Sequence, residues 1–457
     1  MTDNGDNNEQ KSIFSGPRGL AVKILNRIDR TDAYLDKLID AEIRRNDLSP
    51  QDKALLYELV HGVIRWMSRL DWVLTGFYKG QYAKSISDIK NALRVAVYQI
   101  LFLEKIPDYA IVNDAVEYIK KLQGQKAANL TNAVLRNIIR SKNKISFPSP
   151  SDEAVYYISN YYSHPVWLVK RWIRRYGRDF TEQLAIANNE RPKLTIRVNN
   201  IKSNPEEIKN ALRKREIDFT EGKYLPGYFK IEKMIPFSDW EEFQAGYFTV
   251  QDESAGLPCY LLDVKAEHRV LDLCAAPGGK TALLADLMNN SGEIIAIDKY
   301  DSRLNVLRKN LDRLGVTNVK TIAIDALEFE DKEGFDRVLV DVPCSGLGTL
   351  SKKPDIKWKR ALMDIKKLNP LQLDLLKKAA ELVKPGGYVV YSTCTIEPDE
   401  NFEIVQQFLD ENLDFELIPA DKTFPPELVS KKTKCVETFP HIHDMDGSFA
   451  AKLRRKR

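Results

Sequence analysis

The chain has 457 residues, 43% of them hydrophobic and 29% charged, with a formal net charge of +4. That length suits two to three domains, and the composition is that of an ordinary water-soluble globular protein. No apolar run approaches the roughly 18 residues of a membrane span, and the charge is too small to argue for nucleic-acid binding except through local patches.

The polar, acidic start Met1–Gln10 has neither the basic start nor the apolar centre of a signal peptide, and residues 1–16 are expected to be a disordered lead-in. Over residues 17–145 the pattern is helical throughout. Leu20, Ile24, Leu25 and Ile28 recur at helical spacing, as do Leu35, Leu38, Ile39 and Ile43. Further helices are predicted over 55–66, 70–77, 89–103, 110–122 and 130–139, which makes a compact all-α domain. The turn-rich stretch Ser146–Ser151 reads as a linker. It opens a region, 146–262, of linker helices and a small α+β subdomain with strands at 194–198, 228–231 and 246–250. Residues 263–457 alternate strand and helix, with strands at 270–273, 294–297, 319–324, 337–340 and 388–391. Repeated βα units predict a doubly wound, Rossmann-like, mostly parallel sheet. The basic tail Lys452–Arg457 looks featureless.

The last region opens on a strand followed by Cys274, Ala275, Ala276, Pro277, Gly278, Gly279 and Lys280, and then a helical pattern. Glycines let backbone approach a ligand, and a helix start offers free N–H donors. The loop is neither a dinucleotide fingerprint nor a phosphate loop, so a nucleoside cofactor without a pyrophosphate fits, and S-adenosylmethionine is the candidate. Asp298, Asp325 and Asp341 each end a strand or follow one closely. In an open α/β sheet such ends converge on one cleft at the topological switch point. Asp298 is placed to take ribose hydroxyls, Asp325 the adenine amino group and Asp341 the amino group of a cytosine.

The five cysteines include no C-x-x-C pair, which argues against a disulfide framework or a zinc cage and for a reducing cytoplasm. Cys259 and Cys435 read as small core hydrophobes. Cys344, in Asp-Val-Pro-Cys-Ser-Gly, and Cys394, in Ser-Thr-Cys-Thr, instead follow strands at polar loops. Methylation of cytosine C5 needs such a nucleophile, because only attack at C6 makes C5 reactive. His441 and His443 near Cys435 give too few ligands for a metal and read as a surface loop. Residues Ser351–Arg360 put five cations and Trp358 just after the Cys344 loop, and RNA contact is expected there.

These motifs, with Pro354–Trp358 and Glu400-Asn401, resemble the RNA cytosine-5 methyltransferases of the Nop2/Sun type. The helical half, through Leu93–Phe102, Ile106–Ala110, Asn113–Glu117 and Asn132–Arg136, resembles a NusB-like RNA-binding domain. Together with Arg197–Asn199 and Val250–Ser254, this is similar to the bacterial Sun/Fmu (RsmB-type) branch, over nearly all of residues 17–457. The resemblance implies Cys394 as nucleophile and Cys344 as the residue assisting release. It also implies the 274–280 loop, Asp298, Asp325 and Asp341 as the cofactor set, and a cytosine of 16S rRNA, unassembled or partly assembled, as substrate. The same chemistry on tRNA or another rRNA, or a non-catalytic antitermination factor, are the alternatives. One departure is Ser448, which follows Gly447 where the family usually has an aromatic residue.

Overall fold

The computed structural model describes residues 16–31, 33–232, 237 and 240–457. Apart from Gly16, the expected lead-in lies outside the described residues. The chain divides into two compact units, one reaching to Asn189 and taking in Lys353–Lys359, the other Glu190–Lys352 with Arg360–Arg457. No helix among the described residues is long and apolar enough to cross a membrane.

The first unit is helical among its described residues. It runs through α1 (Gly16–Ile28), α2 (Leu35–Arg45), α3 (Pro50–Arg65), α4 (Met67–Phe77), α5 (Ser87–Phe102), α6 (Asp108–Ser141), α7 (Ala154–Tyr161), α8 (Val166–Tyr176) and α9 (Arg178–Asn189). The apolar stripe predicted for the first helix is buried at Leu20, Ile24 and Leu25 against Leu93, Val97 and Ile111. Ser49 caps α3 by accepting from Asp52 N at 3.1 Å, with Pro50 in the first turn. Within α6 the backbone leaves helical geometry at Gly124, where φ is +79°, so the two predicted helices meet at a break rather than a loop. The last carbonyls of α3 are satisfied by the excursion Lys353–Lys359. Lys357 Nζ donates to Arg65 O at 2.8 Å, and Trp358 Nε1 donates to Ile64 O at 2.7 Å.

The second unit holds two sheets. Strands β1 (Leu194–Val198), β2 (Phe219–Glu221), β3 (Tyr228–Ile231) and β4 (Phe248–Val250) form an antiparallel sheet in the order β2-β3-β1-β4, with α10 (Pro205–Lys214) between β1 and β2. After α11 (Glu253–Leu262) come β5 (Arg269–Asp272), α12 (Gly279–Leu287), β6 (Glu293–Asp298), α13 (Asp301–Leu314), β7 (Val319–Ala323) and β8 (Phe335–Asp341). The chain then continues through α14 (Leu362–Leu382), β9 (Val383–Thr393), α15 (Phe402–Glu411), β10 (Phe415–Ile418), β11 (Val436–Thr438) and β12 (Ser448–Arg455). The larger sheet runs β10-β12-β9-β8-β5-β6-β7, with β11 paired to β12. Strands β5 to β9 are mutually parallel and β12 is antiparallel to both β9 and β10.

Alternate strand residues enter two apolar layers: Val270, Ile294, Leu339 and Val390 on one face, Leu271, Ile295, Val338 and Val389 on the other. Burial on both faces explains the continuous apolar runs visible in the sequence. The tail expected to be featureless is largely strand β12, which lies between β9 and β10. Its cations are absorbed locally, Lys452 Nζ sitting 4.3 Å from the Tyr388 ring centroid.

The small sheet is fastened to the large one by buried polar contacts. Arg197 Nε donates to Gln251 Oε1 at 2.6 Å, and its Nη1 pairs with Asp286 Oδ2 at 3.1 Å, with both side chains about 3% exposed. Asn199 Nδ2 donates to Gly246 O and Leu314 O, each at 2.8 Å. Replacing Arg197 by Ala leaves the buried Asp286 carboxylate without its cation, with only Asn200 still donating to it, and is expected to cost about 3 kcal/mol. Urea unfolding of the full chain checks this, and a change within experimental error would show that the pair is dispensable.

Candidate active site

The chain runs outward from β5 to β6 and β7, then returns to the other side of β5 for β8 and β9, so strand order reverses between β5 and β8. Four acids stand at or just past the carboxyl ends of adjacent strands there: in spatial order Asp341, Asp272, Asp298 and, two residues beyond β7, Asp325. Asp272 was missed by the sequence reading, although Val270-Leu271-Asp272 shows the same apolar run closed by an acid. Thr281 Oγ1 donates to its Oδ2 at 2.7 Å, while Oδ1, also buried, finds no hydrogen-bond partner among the described residues. Burial, partly opposed by that Thr281 bond, pushes the Asp272 carboxyl up to about 7, with Asp341 adding to the rise.

The 274–280 loop turns on Gly278, at φ +100°, where a Cβ would come 2.7 Å from Leu307 Cγ. Ala275 N donates to Ile297 O at 2.8 Å, and Ala276 O accepts from Arg303 Nη2 at 2.7 Å. Pro277 is exposed, and Gly279 opens α12. The Cys274 side chain packs in the apolar layer, where burial pushes its thiol up. Its contribution to the loop is therefore backbone and packing. Lys280 Nζ donates to Asp341 Oδ2 at 2.7 Å, and Ser392 Oγ donates to Asp341 Oδ1 at the same distance. Burial works against the Lys280 charge, but Asp341 outweighs it and the lysine is raised overall. Asp298 is buried, accepts from Tyr300 N at 3.1 Å and pairs with Arg303 at 2.8 Å. Asp325 pairs with Lys299 at 2.9 Å, which with the Leu327 N–H holds its carboxyl below the usual range.

The register of β8 and β9 sets Asp341 opposite Ser392, and a short way beyond them the sulfurs of Cys344 and Cys394 lie 3.1 Å apart. Cys394 is exposed, and its backbone N–H donates to Cys344 Sγ at 3.3 Å. The hydrogen bond shared between the two sulfurs, and then burial, push the Cys344 thiol well up, partly opposed by the Cys394 N–H. The residues flanking both cysteines are tied to one buried carboxylate. Glu400 accepts from Ser345 N at 2.7 Å, from Ser345 Oγ, and from Gln372 Nε2 at 3.1 Å. Ser345 Oγ also sits 2.9 Å from Thr395 Oγ1, and Gln372 donates to Pro343 O at 2.9 Å. Burial pushes the Glu400 carboxyl up.

Two expectations change. The basic run after Cys344 is mostly not a free surface. Lys352 pairs with Asp252 and Asp446, Lys357 is 1% exposed, and Trp358 and Lys359 donate to main-chain carbonyls. The expected RNA contact therefore has little to stand on there. Ser448 is buried, its hydroxyl 2.9 Å from Thr438 Oγ1. Phe449 fills the space beside Tyr391 instead. Cys259 and Cys435 are buried, and His443 is not on the expected surface loop but buried at the end of a short helical turn, with Nε2 2.9 Å from Glu427 O. No cluster of three metal-ligating side chains occurs among the described residues.

Residues 259–454 match a model described as 16S rRNA methyltransferase RsmB/F, residues 15–140 the NusB family, and residues 164–238 an RsmF/B-like ferredoxin-like domain. A probable ribosomal RNA small subunit methyltransferase B from Bacillus subtilis is 36% identical over 96% of this chain and 98% of its own length. The chain belongs to the RsmB/F methyltransferase family. A ribosomal RNA small subunit methyltransferase B from Escherichia coli is 33% identical over 96% of the chain and 98% of its own. Among solved structures, PH0851 superposes with TM-score 0.81 at 28% identity, covering 96% of this chain and 99% of that one. A methyltransferase homolog from Pyrococcus horikoshii superposes with TM-score 0.59 at 32% identity, covering 67% of this chain and all of that one. The expected all-α NusB-like domain, small α+β insert and Rossmann-like methyltransferase domain thus follow in that order, and the insert is ferredoxin-like.

In this RsmB/F chain, Asp272 makes stability pH-dependent. Its folded value, about 7, lies above an ordinary aspartate's, so the folded chain holds the proton more tightly than the unfolded one. The contribution is whole below about pH 4 and is lost as pH rises towards 7, roughly 4 kcal/mol in all. Asp272→Asn keeps an acceptor for Thr281 and removes the titration. The variant should gain on wild type by that amount between pH 4 and 7 in denaturant unfolding, and parallel pH profiles would show that Asp272 is not held protonated.

Proposed function

We propose that this chain transfers a methyl group from S-adenosylmethionine to C5 of one specific cytosine in 16S rRNA, through a covalent bond between Cys394 and C6. The observation that carries the proposal is the pair of thiols 3.1 Å apart at the switch-point end of the sheet, beside the 274–280 loop. The RNA substrate is the one named for the family and the relatives that match along nearly the whole chain.

The residues present suit the cofactor. Gly278 allows a close backbone approach, Asp298 is a buried acceptor for ribose hydroxyls, and Asp325 stands two residues past β7 for the adenine amino group. When bound, S-adenosylmethionine supplies an electrophilic methyl carbon. Asp341 keeps carboxylate lone pairs beyond those used by Lys280 and Ser392, and these can accept from the cytosine amino group and fix the ring. The exposed Cys394 sulfur adds to C6, which leaves C5 enamine-like and ready to take the methyl group. The C5 proton must then leave, and the electrons of the C5–H bond restore the ring double bond as the Cys394–C6 bond breaks.

Cys344 suits that last stage. Its thiol holds its proton chiefly because of Cys394. Once Cys394 is bonded to carbon, that restraint is gone, Cys344 loses its own proton more readily, and its thiolate can take the C5 proton.

The test is a denaturing gel with substrate RNA and cofactor. Cys344→Ala should accumulate a protein–RNA adduct, absent in Cys394→Ala and in the double variant. An adduct with Cys394→Ala but not with Cys344→Ala would reverse the roles. For the cofactor, Asp298→Ala should weaken binding by about 1.5–3 kcal/mol through loss of a charged acceptor. Calorimetry reading wild-type affinity in the folded variant would place the ribose elsewhere.

A further inference from the structure

From Tyr118 to Ser151 the sequence contains seven cations, Lys120, Lys121, Lys126, Arg136, Arg140, Lys142 and Lys144, and no Asp or Glu. All seven side chains are exposed, and none makes an ion pair among the described residues. Some cations elsewhere in the same helical unit are paired, Arg18 with Asp114 at 2.7 Å, Arg94 with Asp71 at 2.7 Å and Lys23 with Glu42 at 2.9 Å; what sets this run apart is its length without an acid.

The half of α6 beyond Gly124 buries Val134, Leu135 and Ile138 and turns Arg136 and Arg140 outward, one helical turn apart. Both guanidinium groups are oriented by amides rather than carboxylates. Arg136 Nε donates to Asn132 Oδ1 at 2.8 Å, and Arg140 Nη2 donates to Asn137 Oδ1 at 2.9 Å. An amide acceptor fixes the direction of a guanidinium while leaving its charge uncancelled. The helix C-terminus accounts for attraction of Arg140 and Lys142 to the last turn. It does not account for Arg136, for the lysines before the last turn, or for the absence of acids.

We infer that the outward face of residues 125–144, with Arg136, Arg140, Lys142 and Lys144 at its centre, is a docking surface for the phosphate backbone of the substrate RNA. This rests on the RNA-substrate reading above and adds the surface that holds the RNA away from the reacting base. Phosphate oxygens match a row of uncancelled cations, and contacts of this kind position a nucleic acid without reading its sequence.

The experiment measures binding of a 16S rRNA transcript to the full chain over a range of potassium chloride, with polyglutamate as a competing polyanion. Arg136→Gln/Arg140→Gln/Lys142→Gln/Lys144→Gln should lower the slope of log affinity against log salt by about 3–3.5, from roughly 0.7–0.9 for each of four lost phosphate contacts. Affinity at low salt should fall at least about tenfold. Arg136→Lys/Arg140→Lys keeps the charge and should keep the wild-type slope, which separates charge from packing. Melting midpoint and S-adenosylmethionine affinity confirm the fold, and the two double Gln variants, each expected to lose about half the slope change, replace the fourfold one if it does not fold. A slope unchanged in folded variants would overturn the inference. So would polyglutamate binding as tightly as RNA, which would make an acidic protein the partner. Because binding is read without methyl transfer, wild-type protein that binds RNA but transfers no methyl group would count against the proposed function and leave this surface standing.

Discussion

One buried carboxylate holds the reacting loops together. Strands β8 and β9 bring Cys344 and Cys394 to the same end of the sheet, but both cysteines lie beyond the last paired residues, where the ladder no longer fixes the backbone. Glu400 takes over there, binding Ser345 through main chain and side chain, and through Ser345 it reaches Thr395. With no cation paired to it among the described residues, a buried carboxylate is tolerable only while its donors stay in place. Movement of the Cys344 loop would strip donors from Glu400, and the Cys394 loop is held to that loop through the Ser345–Thr395 contact, so the energetic cost of an unsatisfied acid becomes a restraint on the sulfur–sulfur distance.

The parts of this arrangement legible in the sequence are those written in local pattern. Strands β5 to β9 announce themselves as apolar runs, and the acids at their ends follow from alternation stopping at a polar residue. Asp272 shares that pattern, but its importance lies in what surrounds it: one oxygen spent on Thr281 and the other buried without a partner. Neither fact is local. The basic segments were misread for a related reason. A lysine in a sequence carries a charge but no indication of where its ammonium ends. Lys357 ends on the carbonyl of Arg65, Lys352 between two aspartates, and Lys452 over Tyr388. Charge near a nucleophile suggested RNA, while the more exposed cations lie on α6, in the helical half whose likeness to an RNA-binding domain did not single out any face.

Ser448 shows how a departure from a family pattern is absorbed. The turn before it is set by backbone, since Gly447 N donates to Gly348 O at 2.8 Å and a Cβ on Gly348 would come within 1.9 Å of Gly447 O. With no room for side chains between these glycines, the next position needs only a group that suits its buried surroundings. A hydroxyl paired with Thr438 does so, and Ser448 N donates to the same oxygen at 2.8 Å.

The excursion Lys353–Lys359 bears on how the chain is made. The helical unit includes these residues although they lie far along the chain from its other helices. A ribosome delivers α1 to α9 first, and at that stage the Ile64 and Arg65 carbonyls at the end of α3 lack the donors that will later satisfy them. Those donors, Trp358 and Lys357, emerge only after strand β8 and the Cys344 loop. The hydrogen bonds that finish α3 can therefore form only after the chain has been made through strand β8 and the Cys344 loop, and until then water must take their place.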